Sequence, residues 1–191
     1  MAVFDYIPSV GTCDCCAGVD KFYIATRPDN IISSSTWGTT DILTSVTLVA
    51  GAPNANRFIA FDAGTGLTSL SGEINCDKAT YTLTTTIECQ IDNALRRVLQ
   101  SYKDEICCNG AAVIVQLCSG SKRILGIERS TASTNGIRWV GSKKFEMTEN
   151  TQKGGDDDTK PEVSFTITFT QRKIAYFTTL AMTAPLVVSN P

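Results

Sequence analysis

The stretch Lys78-Ala-Thr-Tyr-Thr-Leu-Thr-Thr-Thr-Ile-Glu-Cys89 decides the class of fold. Tyr81, Leu83, Thr85, Ile87 and Cys89 fall at every second position, with Thr80, Thr82, Thr84, Thr86 and Glu88 between them. A period of two is that of a strand, whose successive side chains point to opposite faces. The apolar set predicts a face against a core, and the threonine set predicts a face in water. Threonine suits this role because its branched Cβ is stiff and fits the pleat. The whole chain holds 25 threonines, a load that favours strands over helices.

Downstream, Val163, Phe165, Ile167 and Phe169 alternate with Ser164, Thr166, Thr168 and Thr170, which predicts a second strand of the same kind. Between the two lies a pattern of period 3.6: Ile91, Leu95, Val98, Leu99, Tyr102 and Ile106. It predicts one helix over about 91–107, opened by Asp92 or Asn93 and stopped by Asn109-Gly110. Leu95, Val98, Leu99 and Tyr102 would form its buried stripe, and Phe165 and Ile167 the matching part of the core.

Further outward, Ala112–Cys118 and Lys122–Glu128 flank Ser119-Gly-Ser121 and predict a hairpin. Ile42–Val49, Arg57–Phe61, Ile137–Val140, Lys144–Thr148 and Tyr176–Leu180 predict further strands. Residues 1–36 are poorly periodic, with one short strand at Phe22–Ala25, and predict an N-terminal arm. The expected organisation is that arm followed by a single domain over 37–191. The expected class is mainly β with one central helix, an α+β chain built as a β-sandwich or barrel flanked by the helix. Residues 150–161 carry two glycines, three consecutive aspartates and a proline, and predict a long loop.

Composition excludes several function classes. The 191 residues are 42% apolar and 19% charged, enough for an ordinary core. With 17 basic and 19 acidic side chains, the net charge is −2, so there is no basic surplus for tight nucleic-acid binding. Histidine is absent, which removes the commonest general base and the commonest metal ligand. Met1-Ala-Val-Phe-Asp-Tyr-Ile-Pro8 lacks the basic and apolar regions of a signal peptide, and no stretch approaches a membrane span. The expectation is a soluble chain made in the cytoplasm, without a membrane partner. The eight cysteines are then expected as reduced thiols.

The motifs that touch on chemistry are incomplete. Cys13, Cys15 and Cys16 hold one C-x-x-C spacing and Cys107-Cys108 is a vicinal pair, but a zinc site needs four well-spaced ligands. Ser119-Gly-Ser-Lys122 has the spacing of an acyl-transfer nucleophile but sits in a predicted turn. Gly64-Thr-Gly66 lacks the third glycine and the helix of a dinucleotide site. Arg96, Arg97 and Lys103 share their helix with Asp104 and Glu105, as on a solvated face. Asp156, Asp157 and Asp158 are adjacent, whereas calcium loops place their ligands at alternate positions. The expectation is no catalytic residue, no metal and no cofactor. A β-sandwich binding module for a host receptor or a carbohydrate is the alternative, and it requires Trp37 or Trp139 to be exposed.

Gly110-Ala-Ala-Val-Ile-Val-Gln-Leu117, Lys122-Arg-Ile-Leu-Gly126, Gly141 and Val163-Ser-Phe-Thr-Ile-Thr-Phe-Thr170 follow one another in an order of their own. That order, with the upstream Tyr81–Ile87 strand and the helix from Ile91, resembles a family of small virion proteins of tailed phages of gut Bacteroidetes, the crAss-like phages among them. The resemblance covers roughly residues 70–180 and is similar also to the tail-tube fold. It implies a structural subunit of the virion tail, in a tail tube or head–tail ring that conducts DNA during ejection. It implies hexameric or dodecameric self-association, contact with neighbouring tail or portal-complex proteins, and DNA that passes through the lumen without being gripped. In such a stack, Asp156, Asp157 and Asp158, flanked by Lys153 and Lys160, are expected to meet a basic patch on a neighbouring subunit.

Overall fold

The computed structural model describes residues 18–26, 32–49, 58–62, 68–88, 93–142, 144–150, 162–183 and 187–189. These are mainly β, with a single helix among the described residues. The larger sheet has eight strands. In spatial order they are Val187–Ser189 (β14), Phe58–Asp62 (β4), Val19–Thr26 (β1), Ala111–Leu117 (β7), Lys122–Leu125 (β8), Tyr176–Thr178 (β13), Leu43–Leu48 (β3) and Ile32–Trp37 (β2). A second, antiparallel sheet has four: Lys144–Asn150 (β11), Glu162–Gln171 (β12), Ala79–Glu88 (β6) and Thr68–Ile74 (β5). Ile127–Arg129 (β9) and Ile137–Trp139 (β10) pair on their own. Each larger sheet ends in two edge strands, so the described residues form no closed barrel and that half of the expectation is corrected.

The alternation in β6 and β12 does what its period dictates. Tyr81, Leu83 and Thr85 from β6 are buried, as are Phe165, Ile167 and Phe169 from β12. All but Thr85 belong to one core cluster with Phe22 and Ile24 of β1, Val113 and Val115 of β7 and Leu125 of β8. Burying each such large side chain contributes roughly 1.5–3 kcal/mol. Four rings mesh at the centre: Phe22 stacks on Phe61 at 5.0 Å, and Phe165 meets Phe22 edge-on at 6.1 Å and stacks on Phe145 at 5.7 Å.

β7 reads as an unbroken apolar run because both its faces are covered. Ala111, Val113 and Val115 face the first core, while Ala112 and Ile114 enter a second with Tyr23, Phe58, Ile124, Ile127, Ile137 and Tyr176. Gly126 ends β8 with φ +87°, and a Cβ there would lie 2.7 Å from the Ala111 carbonyl oxygen. Only glycine meets both conditions.

The expected arm over 1–36 gives way to sheet in its described part. β1 lies between β4 and β7, and β2 is an edge strand beside β3. Phe22–Ala25 are buried consecutively, so β1 shows no alternation to read. β2, rich in serine, is held by contacts far away in sequence: Ser35 Oγ donates to the Asn135 carbonyl at 2.8 Å, and Asn135 Nδ2 donates to that of Ile32 at 3.3 Å.

The helix, α1, spans Asn93–Asn109. Gly110 terminates it with φ +81°, its N–H returning to the Ile106 carbonyl at 2.8 Å. Ile106 is fully buried in the first core. Tyr102 is half-buried, edge-on to Phe61 at 5.6 Å. The side chains of Leu95, Val98 and Leu99 lie outside the described residues.

Candidate functional site

The outer face of the four-stranded sheet is the most regular surface the fold builds. Register places Thr148, Ser164 and Thr86 in one rank, and Glu146, Thr166, Thr84 and Ser69 in the next. A third rank is Lys144, Thr168, Thr82 and Ser71, and a fourth is Thr170, Thr80 and Glu73. Neighbours in a rank are about 4.8 Å apart and successive ranks about 6.8 Å. The hydroxyls satisfy one another: Thr84 and Thr166 are 3.2 Å apart, Thr86 and Ser164 2.8 Å. On the β11 margin the ammonium of Lys144 pairs with Glu146 at 3.3 Å, so its charges cancel. Glu73 accepts from Asn75 Nδ2 at 3.2 Å. The described part of this face therefore offers hydroxyls and no uncompensated cation, and a phosphate backbone finds nothing on it to neutralise.

Among the described residues the two margins of this sheet are open: β5 pairs only with β6, and β11 only with β12. An edge strand carries a row of unpaired N–H and C=O groups, a template for another strand. β5 is exposed over its last four positions, Ser71 to Ile74. The sequence reading missed it because glycine and serine interrupt its alternation. Its pairing with the whole length of β6 is what makes it a strand.

One small apolar pocket lies in the core among the described residues. Ile24, Phe61, Tyr102, Ile106, Phe145 and Phe165 surround a pocket of about 10 Å³. That is room for about one water molecule, and an apolar lining gives a water nothing to bond to. Burial there raises the Tyr102 hydroxyl pKa above its ordinary value of 10.0.

The residues singled out from sequence are distributed as follows. Phe165 and Ile167 are buried in the core, and Tyr102 lies at its margin. Asp156, Asp157, Asp158, Lys153 and Lys160 lie outside the described residues, as do Cys13, Cys15, Cys16, Cys89 and Gly64–Gly66. Cys76, Cys107, Cys108 and Cys118 are exposed free thiols. Among the described residues, no three cysteine or acidic side chains gather as metal ligands would. Ser119 lies in the β7–β8 turn, and Lys122 Nζ donates to the Leu180 carbonyl at 3.0 Å, so the S-x-x-K spacing assembles no nucleophile. Both tryptophans are half-buried. Trp37 donates to Ser35 Oγ at 3.0 Å and to the Gly136 carbonyl at 3.1 Å. Trp139 lies so close over Gly141 that a Cβ there would come within 1.8 Å of its ring. No helix among the described residues is long and apolar enough to cross a membrane.

A second surface also escaped the sequence reading. Phe177 stands 50% exposed between buried Tyr176 and Thr178, with the Arg123 guanidinium 5.4 Å from its ring centre. The outward phenylalanine in the middle of a short strand is the signal that points to it.

Comparison of the chain with family models, with curated proteins and with solved structures finds no match.

Proposed function

We propose that this chain is a structural subunit of a phage virion, assembling into rings of a tail tube or head–tail junction through which DNA passes. One observation supports the reading: a four-stranded sheet whose outer face is ranked threonine and serine and whose two edges are unpaired among the described residues. Edge-to-edge joining of β5 in one copy to β11 in the next would satisfy both margins at once. Six copies joined in this way make a barrel of about 24 strands, roughly 45–50 Å across its backbone at ordinary strand tilt. The hydroxyl face would line it, and such a lining guides DNA without holding it. A carbohydrate- or receptor-binding module is less well supported, because Trp37 and Trp139 are engaged within the chain.

Negative-stain microscopy of the purified protein tests the reading. Rings or tubes with a central channel are the expected result. Isolated globules at every concentration and salt would remove it.

A further inference from the structure

We propose that the seam between copies is one defined antiparallel pairing, β5 of one copy on β11 of the next, in the register that sets Glu73 opposite Lys144. The inference rests on the ring reading and deepens it, since it names the residues that lock one copy to its neighbour.

The edges of the fold are not equally open. β2 is also an edge strand, but its ladder with β3 slips twice. Asn135 covers it as well: its Nδ2 donates to the Ile32 carbonyl at 3.3 Å, and its own carbonyl accepts from Ser35 Oγ at 2.8 Å. Bulges and covering loops are devices that keep a sheet edge from pairing with another chain. β5 and β11 show no slip, and each runs seven residues in step with its neighbour. Their core-facing side chains are also incompletely covered. Leu70 on β5, and Phe145 and Met147 on β11, pack against the first core yet are only half-buried. A strand laid along either margin would cover them.

Strand direction alternates from β5 through β6 and β12 to β11, so β5 and β11 run antiparallel. Side by side they continue the order of the sheet. The pleat leaves few registers, because a slip of one residue sets the outer face of one strand against the core face of the other. On the outer face β5 carries Ser69, Ser71 and Glu73, and β11 carries Lys144, Glu146 and Thr148. The level register sets Ser71 opposite Lys144 and engages only residues 68–71 with 144–147. Two residues further, Glu73 faces Lys144, Ser71 faces Glu146 and Ser69 faces Thr148, and residues 68–73 engage 144–149. Two more set Glu73 opposite Glu146, and like charges directly opposite are destabilising. The middle register therefore joins a long overlap to a pair of opposite charges. On the core side it sets Leu70 against Met147, and the Phe145 ring across from Gly72, which has no side chain to meet it. Both charged groups have capacity to spare. Glu73 accepts from Asn75 Nδ2 at 3.2 Å, and a carboxylate has further lone pairs. Lys144 pairs with Glu146 at 3.3 Å, both 65% exposed, and an ammonium with three donors can hold both glutamates.

The test uses the full chain with Glu73→Lys, the full chain with Lys144→Glu, and the two variants mixed in equal amounts. Sedimentation and micrographs are recorded at roughly 0.05 M and 0.5 M salt, where screening lengths differ about threefold. Each variant alone sets like charges face to face and should associate about tenfold more weakly than the parent at low salt, with a smaller deficit at high salt. The mixture should recover assembly, because alternating copies restore an opposite-charge pair at every seam. That recovery also shows both variants to be folded. Should either fail to fold, Glu73→Gln and Lys144→Gln should each weaken association about threefold, and no weakening overturns the register. Parent-like assembly of either charge variant alone, or no recovery in the mixture, overturns it too. Rings that form whatever these charges remove this seam and keep the ring reading. Open strips that obey the charge rule keep the seam and remove the rings. A parent that stays a single chain at every concentration removes both.

Discussion

Gly72 lies directly beneath the ring of Tyr81. A Cβ on Gly72 would stand 2.8 Å from Cε1 and 2.9 Å from Cδ1 of that ring. The ring cannot swing aside, because Tyr81 is buried and its hydroxyl accepts the Ala175 N–H at 3.0 Å. This contact seats the edge strand β5 on β6 and ties both to the chain entering β13.

Gly72→Ala should therefore destabilise the fold by about 1–3 kcal/mol, the usual cost of overpacking. Tyr81→Phe should cost a similar amount, because it leaves the buried Ala175 N–H without an acceptor. Urea denaturation of both variants measures this. A Gly72→Ala protein as stable as the parent would show that β5 sits further from Tyr81.

Alkaline stability should depend on Tyr102. Its folded pKa lies above the ordinary 10.0, so the folded state holds this proton more tightly than the unfolded chain does. The stabilisation is complete below pH 10 and is lost as pH rises through the folded value. Tyr102→Phe should flatten the loss of stability above pH 10 without changing the slope at neutral pH. Denaturation curves from pH 8 to 11 check this, and parallel curves for the two proteins would contradict it.

Much of the central sheet pair was legible in sequence, for a definite reason. β6 and β12 each have one face in the core and one in solvent, so their burial is written as alternation. β7 and β8 were readable as two apolar runs around Ser119-Gly120. β1 was readable only as the short strand Phe22–Ala25; its full span Val19–Thr26 and its place inside the larger sheet come from its pairing with β4 and β7. β2 and β5 are edge strands stabilised by partners elsewhere: Asn135 and Gly136 for the first, Tyr81 and its strand for the second. The candidate face was half legible. The threonines could be assigned to one side of each strand, but their ranks depend on the register between strands far apart in sequence. At the Arg123–Phe177 surface only the outward phenylalanine was a signal in sequence; its pairing with Arg123 was not, because β8 and β13 meet only through the fold.

The described thiols should react in the native state. Cys76, Cys107, Cys108 and Cys118 are exposed and unpaired, so iodoacetamide without reductant should label all four, located by peptide mass mapping. Protection of any one would show that it is covered, and protection in assembled particles alone would place it at a subunit contact.

If the hydroxyl face lines a DNA channel, as proposed, making it basic should turn it into a gripping one. Thr82 and Thr168 are direct neighbours in one rank. Thr82→Lys with Thr168→Lys should give assembled particles that bind duplex DNA with strong salt dependence, whereas the parent binds none at physiological salt. Fluorescence anisotropy across a salt series reads both. Equal retention by parent and variant would show that this face does not meet the DNA.

The mass of the particle in solution tests the ring account most directly. One chain is 20.6 kDa. Sedimentation equilibrium or native mass spectrometry of the purified protein should give six or twelve times that mass, or stacked multiples of it. A single species at the mass of one chain, unchanged on concentration, would contradict the account.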